Sequence, residues 1–445
     1  MKLSVKEMID ASGGRIRQGE NLFDELCIST DTRTIKNTDI FLPLSGENFD
    51  GHNFIDNAID KRCRGYFTEK DSALFKAADF IISVDNTLEA YLKIARYARR
   101  KINPKVVAIT GSLGKTSVKE FVYEVLSTSF KTHKSFLNHN NEVGLCQTLL
   151  SMPESTQYAA IEMGMRGLGE IEILSRYSEP DIAVINNIGM AHIGKLGSID
   201  KIAEAKCEIT SYLKESGLLI AFDDELIKKS CNWHREKLFY GRNYKLTSQE
   251  ENLTGFIYKD EYFEIPVMGE YNVINSIAAI EVGRYSGISY ENIRKGLLNY
   301  APVGDRGKII NLNNGAKLVV DCYNANPDSV IASINNIIEV CKNSPIILVL
   351  GDMEELGEYE KEFHRKVGKF ISDTPVKSLV TVGEKAKLIA EAVENKKINV
   401  NSFLNNAETA KFLLNSRVEE PVILFKASRN MKLEEIAKTL QNSSS

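Results

Sequence analysis

Thr110-Gly111-Ser112-Leu113-Gly114-Lys115-Thr116 sets two glycines, a lysine and a hydroxyl at the spacing of a phosphate-binding loop. Ahead of it, VVAIT is a short β-branched run that reads as a strand. Behind it, SVKEFVYEVLS places Val118, Phe121, Val122, Val125 and Leu126 on one helical face. Strand, glycine turn and helix is the order such a loop needs. Glycines let main-chain N–H groups turn inward around phosphate oxygens, and the helix adds unbonded N–H groups and a positive dipole end. Lys115 is then placed for the β- and γ-phosphates, and the Thr116 hydroxyl for magnesium. Ile109 stands where the strict pattern has its first glycine, so the loop is a shortened variant. Alone it specifies a nucleoside triphosphate and leaves kinases, ATPases and ligases open.

Other residues with usable chemistry sit at predicted strand ends. Glu162 closes YAAIE before Met163-Gly164, a position at the carboxyl edge of a sheet. His192 follows IAVINN in a glycine-rich turn and reads as a ligand for a second magnesium or as a hydrogen-bonded structural residue. Lys206 lies on a predicted helix in AEAKCEI. Asp321, Asn324 and Asn326 follow KLVVD, and Lys426, Ser428 and Arg429 end PVILF, where they can hold a carboxylate. Arg306, after the PVGDRG turn, can reach phosphates as a bidentate donor.

The elements that must position these residues fall into three groups. Residues 1–83 contain LCIST, DIFLPL, RGYFT and DFIISV separated by turn-rich pieces, which reads as a small α/β domain. Residues 84–305 hold the loop, YAAIE, IAVIN and GLLIAF among helical stretches, the order of a mostly parallel sheet covered on both faces. Residues 306–445 repeat the theme with KLVVD, IILVL, SLVTVG and PVILF, a Rossmann-like domain. A length of 445 residues fits several domains, and 43% hydrophobic with 26% charged residues is a globular composition. A net charge of −4 offers no polycation for nucleic acid or anionic lipid, so any phosphate site is local. No apolar run approaches the ~20 residues that span a bilayer. The first residues lack a signal-peptide pattern, and the seven cysteines are never spaced CxxC. A cytoplasmic protein with free thiols is expected.

Several blocks together resemble the Mur ligases, which add amino acids or dipeptides to a UDP-linked muramoyl peptide in bacterial cell-wall peptidoglycan synthesis. They are the TGSLGKT loop, NHNNEVG, IEMG, NIGMAHIGKLGSIDKIAEAKCEI, VVDCYNANPDSV, GDMEELGEYEKEFH and FKASRNMKLEE, with ISTDTR and LSGENFDGHNFI in the first domain. YNANPDS and GDMEELG are similar to the branch that adds D-alanyl-D-alanine. The resemblance implies ATP, two magnesium ions, a UDP-N-acetylmuramoyl-tripeptide and D-alanyl-D-alanine as the reactants, and a monomeric ligase. It implies Glu162 as a magnesium ligand and Lys206 as a carbamate formed with carbon dioxide. Asn272 and Asn275 match a block that meets adenine, which an amide's paired donor and acceptor suits, although Asn is also a common helix-start residue. Asp321, Asn324 and Asn326 are implied to bring the third domain onto ATP and the dipeptide. Asn140 and Asn141 lie in a block implied to meet substrate, and Thr32, Arg33, Asn48 and His52 are implied for the UDP-sugar. Departures from the family are Tyr271 for histidine, Ala427 for glycine and the EMGMRG sequence.

The chemistry follows without the resemblance. A carboxylate is a poor electrophile until phosphoryl transfer turns its leaving group into phosphate, after which an amine can attack. A site for this gathers triphosphate, carboxylate and oxyanion, so it concentrates cations. Two rivals remain open: a sister ligase that adds the third, diamino residue, and a P-loop ATPase that moves without ligating.

Overall fold

The structure, a computed structural model, describes all residues except 47, 251, 305, 342–343, 417 and 444–445, and the side chains of Ser72 and Arg306. The expectation for the Arg306 guanidinium therefore lies outside the described residues. The first unit is a six-stranded sheet in the spatial order Leu3–Ser4, Glu25–Ser29, Asp39–Phe41, Gly65–Thr68, Phe80–Ser83, Arg15–Gln18. Its four middle strands are parallel and its two outer ones antiparallel. Alternation along the strands sends Phe41, Tyr66 and Ile81 to one face and Ile40, Phe67 and Ile82 to the other, each into its own apolar cluster.

The central sheet is fully parallel, in the order Thr132–Lys134, Tyr158–Glu162, Lys105–Thr110, Ile182–Ile185, Leu218–Phe222, Lys237–Tyr240. Every residue of Tyr158–Glu162 and Ile182–Ile185 is buried, as a sheet covered on both faces requires. Lys105–Thr110 is flanked by the strand starting at Tyr158 on one side and the strand starting at Ile182 on the other, so strand order reverses beside the phosphate loop. Such a switch point opens a crevice at the carboxyl edge. A three-stranded antiparallel sheet, Tyr244–Glu250, Leu253–Tyr258 and Glu261–Ile265, follows and was not anticipated in the sequence. It buries Phe256, Phe263 and Ile265 in the same cluster as Phe121 of the phosphate-loop helix and Val273 and Ile277 of the Glu270–Tyr285 helix.

The third sheet runs Arg306–Asn311, Lys317–Asp321, Val422–Lys426, Ile346–Gly351, Ser378–Val382, Asn399–Phe403, parallel except for its first strand. One apolar cluster links all three units, from Leu3 through Ile94 and Leu145 to Ile193, Met353 and Leu356. The Thr87–Ile102 helix packs on Val5–Ser12 of the first unit and on Glu142–Leu150 and Glu170–Ser178 of the second. Its buried Arg99 donates to the carbonyls of Ser178 and Glu179 at 2.8 and 2.9 Å. None of the seven cysteines is joined in a disulfide. Among the described residues no helix is long and apolar enough to cross a membrane.

Candidate active site

The Lys115–Ser127 helix begins at Gly114, whose φ of 72° is left-handed. A Cβ there would lie 2.3 Å from the Tyr271 hydroxyl and 2.5 Å from Asn275 Oδ1, so both backbone and space demand glycine. The loop is held from beneath. Asn186 Nδ2 donates to Leu113 O at 2.9 Å and to Asn275 Oδ1 at 2.8 Å, and Tyr240 OH donates to Asn186 Oδ1 at 2.7 Å. Asn187 Oδ1 accepts from Leu113 N at 2.7 Å, and Ser112 Oγ donates to Gly189 O at 3.0 Å. Thr110 Oγ1 donates to Met163 O at 2.9 Å, which ties two strand ends together, and Lys115 Nζ folds back to Gly111 O at 2.8 Å. Asn186 and Asn187 went unremarked in the sequence. Their signal was an amide pair directly after a buried strand.

Glu162 faces the helix start. Its Oε2 accepts from Thr116 Oγ1 at 2.8 Å and its Oε1 from Asn140 Nδ2 at 2.9 Å, while its N–H donates to Ser135 Oγ at 3.2 Å. The fully buried Lys119 holds that neighbourhood by donating to Ser135 O at 2.8 Å. Among the described residues no three His, Cys, Asp or Glu side chains converge as a metal cage. A carboxylate and a hydroxyl of hard oxygen, with the remaining positions left for water and phosphate, is the donor set magnesium takes.

His192 precedes the Ile193–Leu196 turn with a left-handed φ of 66°. Its Nδ1 lies 2.7 Å from Glu355 Oε2 of the third unit. Through it His192 holds the Glu355 carboxyl below its ordinary value. Lys206, in the last turn of Ile199–Cys207, is 1% exposed. Burial first, and then the Lys115 charge, push its pKa well below that of an ordinary lysine.

A cleft of about 570 Å³ opens between the second and third units. It gathers Ser112, Leu113, Gly114, Lys115, Thr116, Asn140, Glu162, His192 and Asn272 from one side and Asp321, Asn324, Asn326 and Lys426 from the other. Asp321 Oδ2 accepts from Lys426 Nζ at 2.7 Å and from Ser333 Oγ at 2.8 Å. Asn326 also caps the Pro327–Val340 helix through Ser329.

Other expected residues are placed differently. Asn275 does not reach the cleft: it is fully buried under Gly114, and its amide braces the loop rather than a base. Asn141 spends its carbonyl capping Glu142–Leu150. Ser428 Oγ accepts from Glu354 N at 2.9 Å, and the exposed Arg429 lies 3.3 Å from Glu434 Oε1, both outside the cleft lining. In the first unit Arg33 is exposed and paired with Asp31 at 2.7 Å, and the Thr32 carbonyl accepts from Lys61 at 2.8 Å. Asn48 is exposed in the turn of the Ser45–Gly46/Phe49–Asp50 hairpin. His52 is buried behind it with both nitrogens used, Nδ1 to Asp50 Oδ1 at 2.9 Å and Nε2 accepting from Glu69 N at 3.2 Å.

A phosphate loop at a parallel-sheet switch point, faced across a cleft by another α/β unit, defines a nucleotide-binding protein of the P-loop class. Residues 109–283 match the Mur ligase middle domain, and residues 305–429 match the Mur ligase glutamate ligase domain. The UDP-N-acetylmuramoyl-tripeptide–D-alanyl-D-alanine ligase of Bacillus subtilis is 38% identical over 423 residues, covering 93% of this chain and 92% of that one. A crystal structure of MurF from Acinetobacter baumannii superposes with a TM-score of 0.91 at 28% identity, covering 99% of each chain. MurF from Thermotoga maritima, solved in complex with ADP, superposes at 0.84 with 27% identity over 94% of this chain and 97% of that one. The chain belongs to the Mur ligase family, and within it to the MurF type.

Proposed function

We propose that this protein is the ATP-dependent ligase that joins D-alanyl-D-alanine to UDP-N-acetylmuramoyl-tripeptide through an acyl phosphate, a step of peptidoglycan precursor synthesis. The observation that carries the reading is the shared cleft. It sets a phosphate loop opposite the Asp321–Lys426 pair, 2.7 Å apart. A dipeptide is a zwitterion, and a half-buried anion beside a buried cation is complementary to its ammonium and carboxylate. The relative in Bacillus subtilis carries the name of that reaction.

In this reading residues 1–83 bind the UDP end, residues 84–305 bind ATP and magnesium, and residues 306–445 bind the dipeptide and close the cleft. The exposed turn at Asn48, with Thr32 and Arg33, offers contacts to the UDP-sugar, and His52 stiffens the hairpin that carries Asn48. Main-chain N–H groups at the start of the Lys115–Ser127 helix, with the Lys115 ammonium, hold the phosphates, Asn272 faces the adenosine, and Asn140 keeps Glu162 oriented. Asp321, Asn324, Asn326 and Lys426 frame the dipeptide side, with Ser428 and Arg429 at its margin, and Arg306 is assigned to the nucleotide phosphates. Magnesium, when bound, neutralises charge on the phosphates and the developing acyl phosphate. Thr116, Glu162 and His192 are the groups to hold two such ions, with Lys206. A neutral Lys206 amine is the form that captures carbon dioxide, and a carbamate replaces a repelling cation with an oxygen ligand. The protein works in the cytoplasm as a monomer.

Incubation with ATP, magnesium, UDP-muramoyl-tripeptide and a panel of D-amino acids and dipeptides, read by mass, tests the reading. The product should gain one D-alanyl-D-alanine, and only with ATP present. A product carrying a diamino acid, or ATP turnover with no product, would refute it.

A further inference from the structure

Where the second and third units touch beside the cleft, main chain meets main chain. Gly194, in the Ile193–Leu196 turn, donates its N–H to Glu355 O at 3.2 Å. A Cβ on Gly194 would lie 2.5 Å from Gly357 N, 2.7 Å from Glu355 O and 2.8 Å from Leu356 C. All three atoms belong to the backbone of the GDMEELG turn in the opposite unit, and none is a side-chain end that could swing aside. From the other direction, a Cβ on Gly357 would come within 2.7 Å of Gly194 Cα.

The two glycines are there for different reasons. Gly357 has a φ of 58°, so its own turn already calls for glycine. Gly194 does not have a positive φ, and it sits in a helical turn where alanine is the better residue. The demand for a bare backbone at 194 comes from the facing unit.

The contacts around this point all bear on seating the third unit. His192 Nδ1 lies 2.7 Å from Glu355 Oε2, Tyr359 OH donates to Gly197 O at 3.2 Å, and Met190 N donates to Asp328 Oδ2 at 3.2 Å. Ile193 and Leu356 are buried in one apolar cluster that crosses the junction.

We propose that Gly194 is a docking glycine: its missing side chain lets the GDMEELG turn seat against the main chain two residues from His192, so that third-unit docking and completion of the cleft are one event. It touches no reacting atom and acts as a positioning residue. A methyl group at 194 meets backbone at 2.5 Å where carbon contacts prefer ~3.5 Å, so it holds the units apart by on the order of 1 Å. A displacement of that size across a two-sided site costs roughly 10- to 100-fold in rate.

The test is full-length Gly194→Ala, with Gly357→Ala and the double variant beside it. Gly194→Ala is expected to melt within a few degrees of wild type, because the clash opens one junction and leaves each unit's own core intact. With magnesium and the non-hydrolysable analogue AMP-PNP, its small-angle scattering should give a larger radius of gyration than wild type. The kcat should fall roughly 10- to 100-fold, while KM for the UDP-linked substrate, held by the first unit, stays within about twofold. The double variant should be no slower than the slower single variant, because both remove one contact. Wild-type scattering and kcat in Gly194→Ala would overturn the proposal. So would a rate loss that tracks a lowered melting temperature, or losses that multiply in the double variant. The proposal goes beyond the ligase reading, and the scattering arm needs nucleotide alone. It decides the docking even if wild type makes no dipeptide product, which is the outcome that would sink the ligase reading.

Discussion

The second and third units present the same feature to the cleft, the carboxyl edge of a parallel sheet, but build it from opposite materials. In the second unit the edge is mostly main chain: a glycine turn, a helix start and a lysine folded onto its own loop at 2.8 Å, with Thr116 on Glu162 beside it. In the third unit it is a side-chain ion pair between neighbouring strands, Asp321 and Lys426, whose residues pair in register although 105 positions apart. In the proposed reading the first edge receives the triphosphate on its helix start and Lys115, and the second, already paired, offers charges that a zwitterion can share.

Substitutions that remove the cation from the first edge should have the largest effect. Lys115→Ala is expected to lower kcat by ~10²-fold or more with little change in melting temperature, because the residue opens a helix in a polar turn. Near-normal turnover in a folded variant would place the phosphate site elsewhere. Lys206→Ala should lose most activity and recover part of it with added formate or acetate. Lys206→Arg should not be rescued, since a guanidinium fills the space and keeps its charge. Full activity in Lys206→Ala would remove the carbamate from the scheme.

The second edge should respond chiefly in stability. Asp321→Ala leaves the nearly buried Lys426 without its carboxylate, at a cost of roughly 1–3 kcal/mol read in denaturant titrations. Asp321→Leu with Lys426→Met should restore most of that stability and no turnover. If the double variant is as unstable as the single one, the pair is not a self-neutralised unit.

The smallest effect is a pH dependence confined to Lys206. Its pKa is depressed in the folded chain, so the unfolded chain binds the extra proton between the folded value and the ordinary lysine value near 10.5. Stability held back by that proton therefore returns as pH rises. Lys206→Met should melt above wild type at pH ~7 in carbon-dioxide-free buffer, and the advantage should shrink by pH ~10. An advantage equal at both pH values would show that the lysine is not buried uncharged.

The contrast between the edges also explains what could be read in advance. The P-loop, its helix and Glu162 were legible because strand, glycine turn and strand end are local patterns, and each fixes its neighbours' geometry within a few residues. Four of the five parallel strands of the third unit were legible for the same reason; the fifth, Asn399–Phe403, is polar and has no fully buried residue to mark it. Asn275 was misplaced because an asparagine in a helix-start block says nothing about which side of the loop it will meet. Its burial under Gly114 depends on Asn186, 89 positions away. The antiparallel sheet at 244–265 was missed because only its middle strand, Leu253–Tyr258, is mostly buried, while Tyr244–Glu250 beside it has no buried residue and Glu261–Ile265 buries only Phe263 and Ile265.

By itself the sequence determined the chemistry class: a phosphate loop in its strand–helix setting, carboxylates at strand ends, and the family blocks that name substrates. Those signals are local because glycine φ freedom and hydrophobic periodicity act over a few residues. Only the tertiary structure decided which polar groups face the cleft and which brace it. It alone revealed that Lys206 loses its water shell, that Glu355 crosses to His192, and that Gly194 is bare for the sake of a chain 160 residues later. Burial and contact across units depend on how separate sheets pack, and no spacing within one segment encodes that.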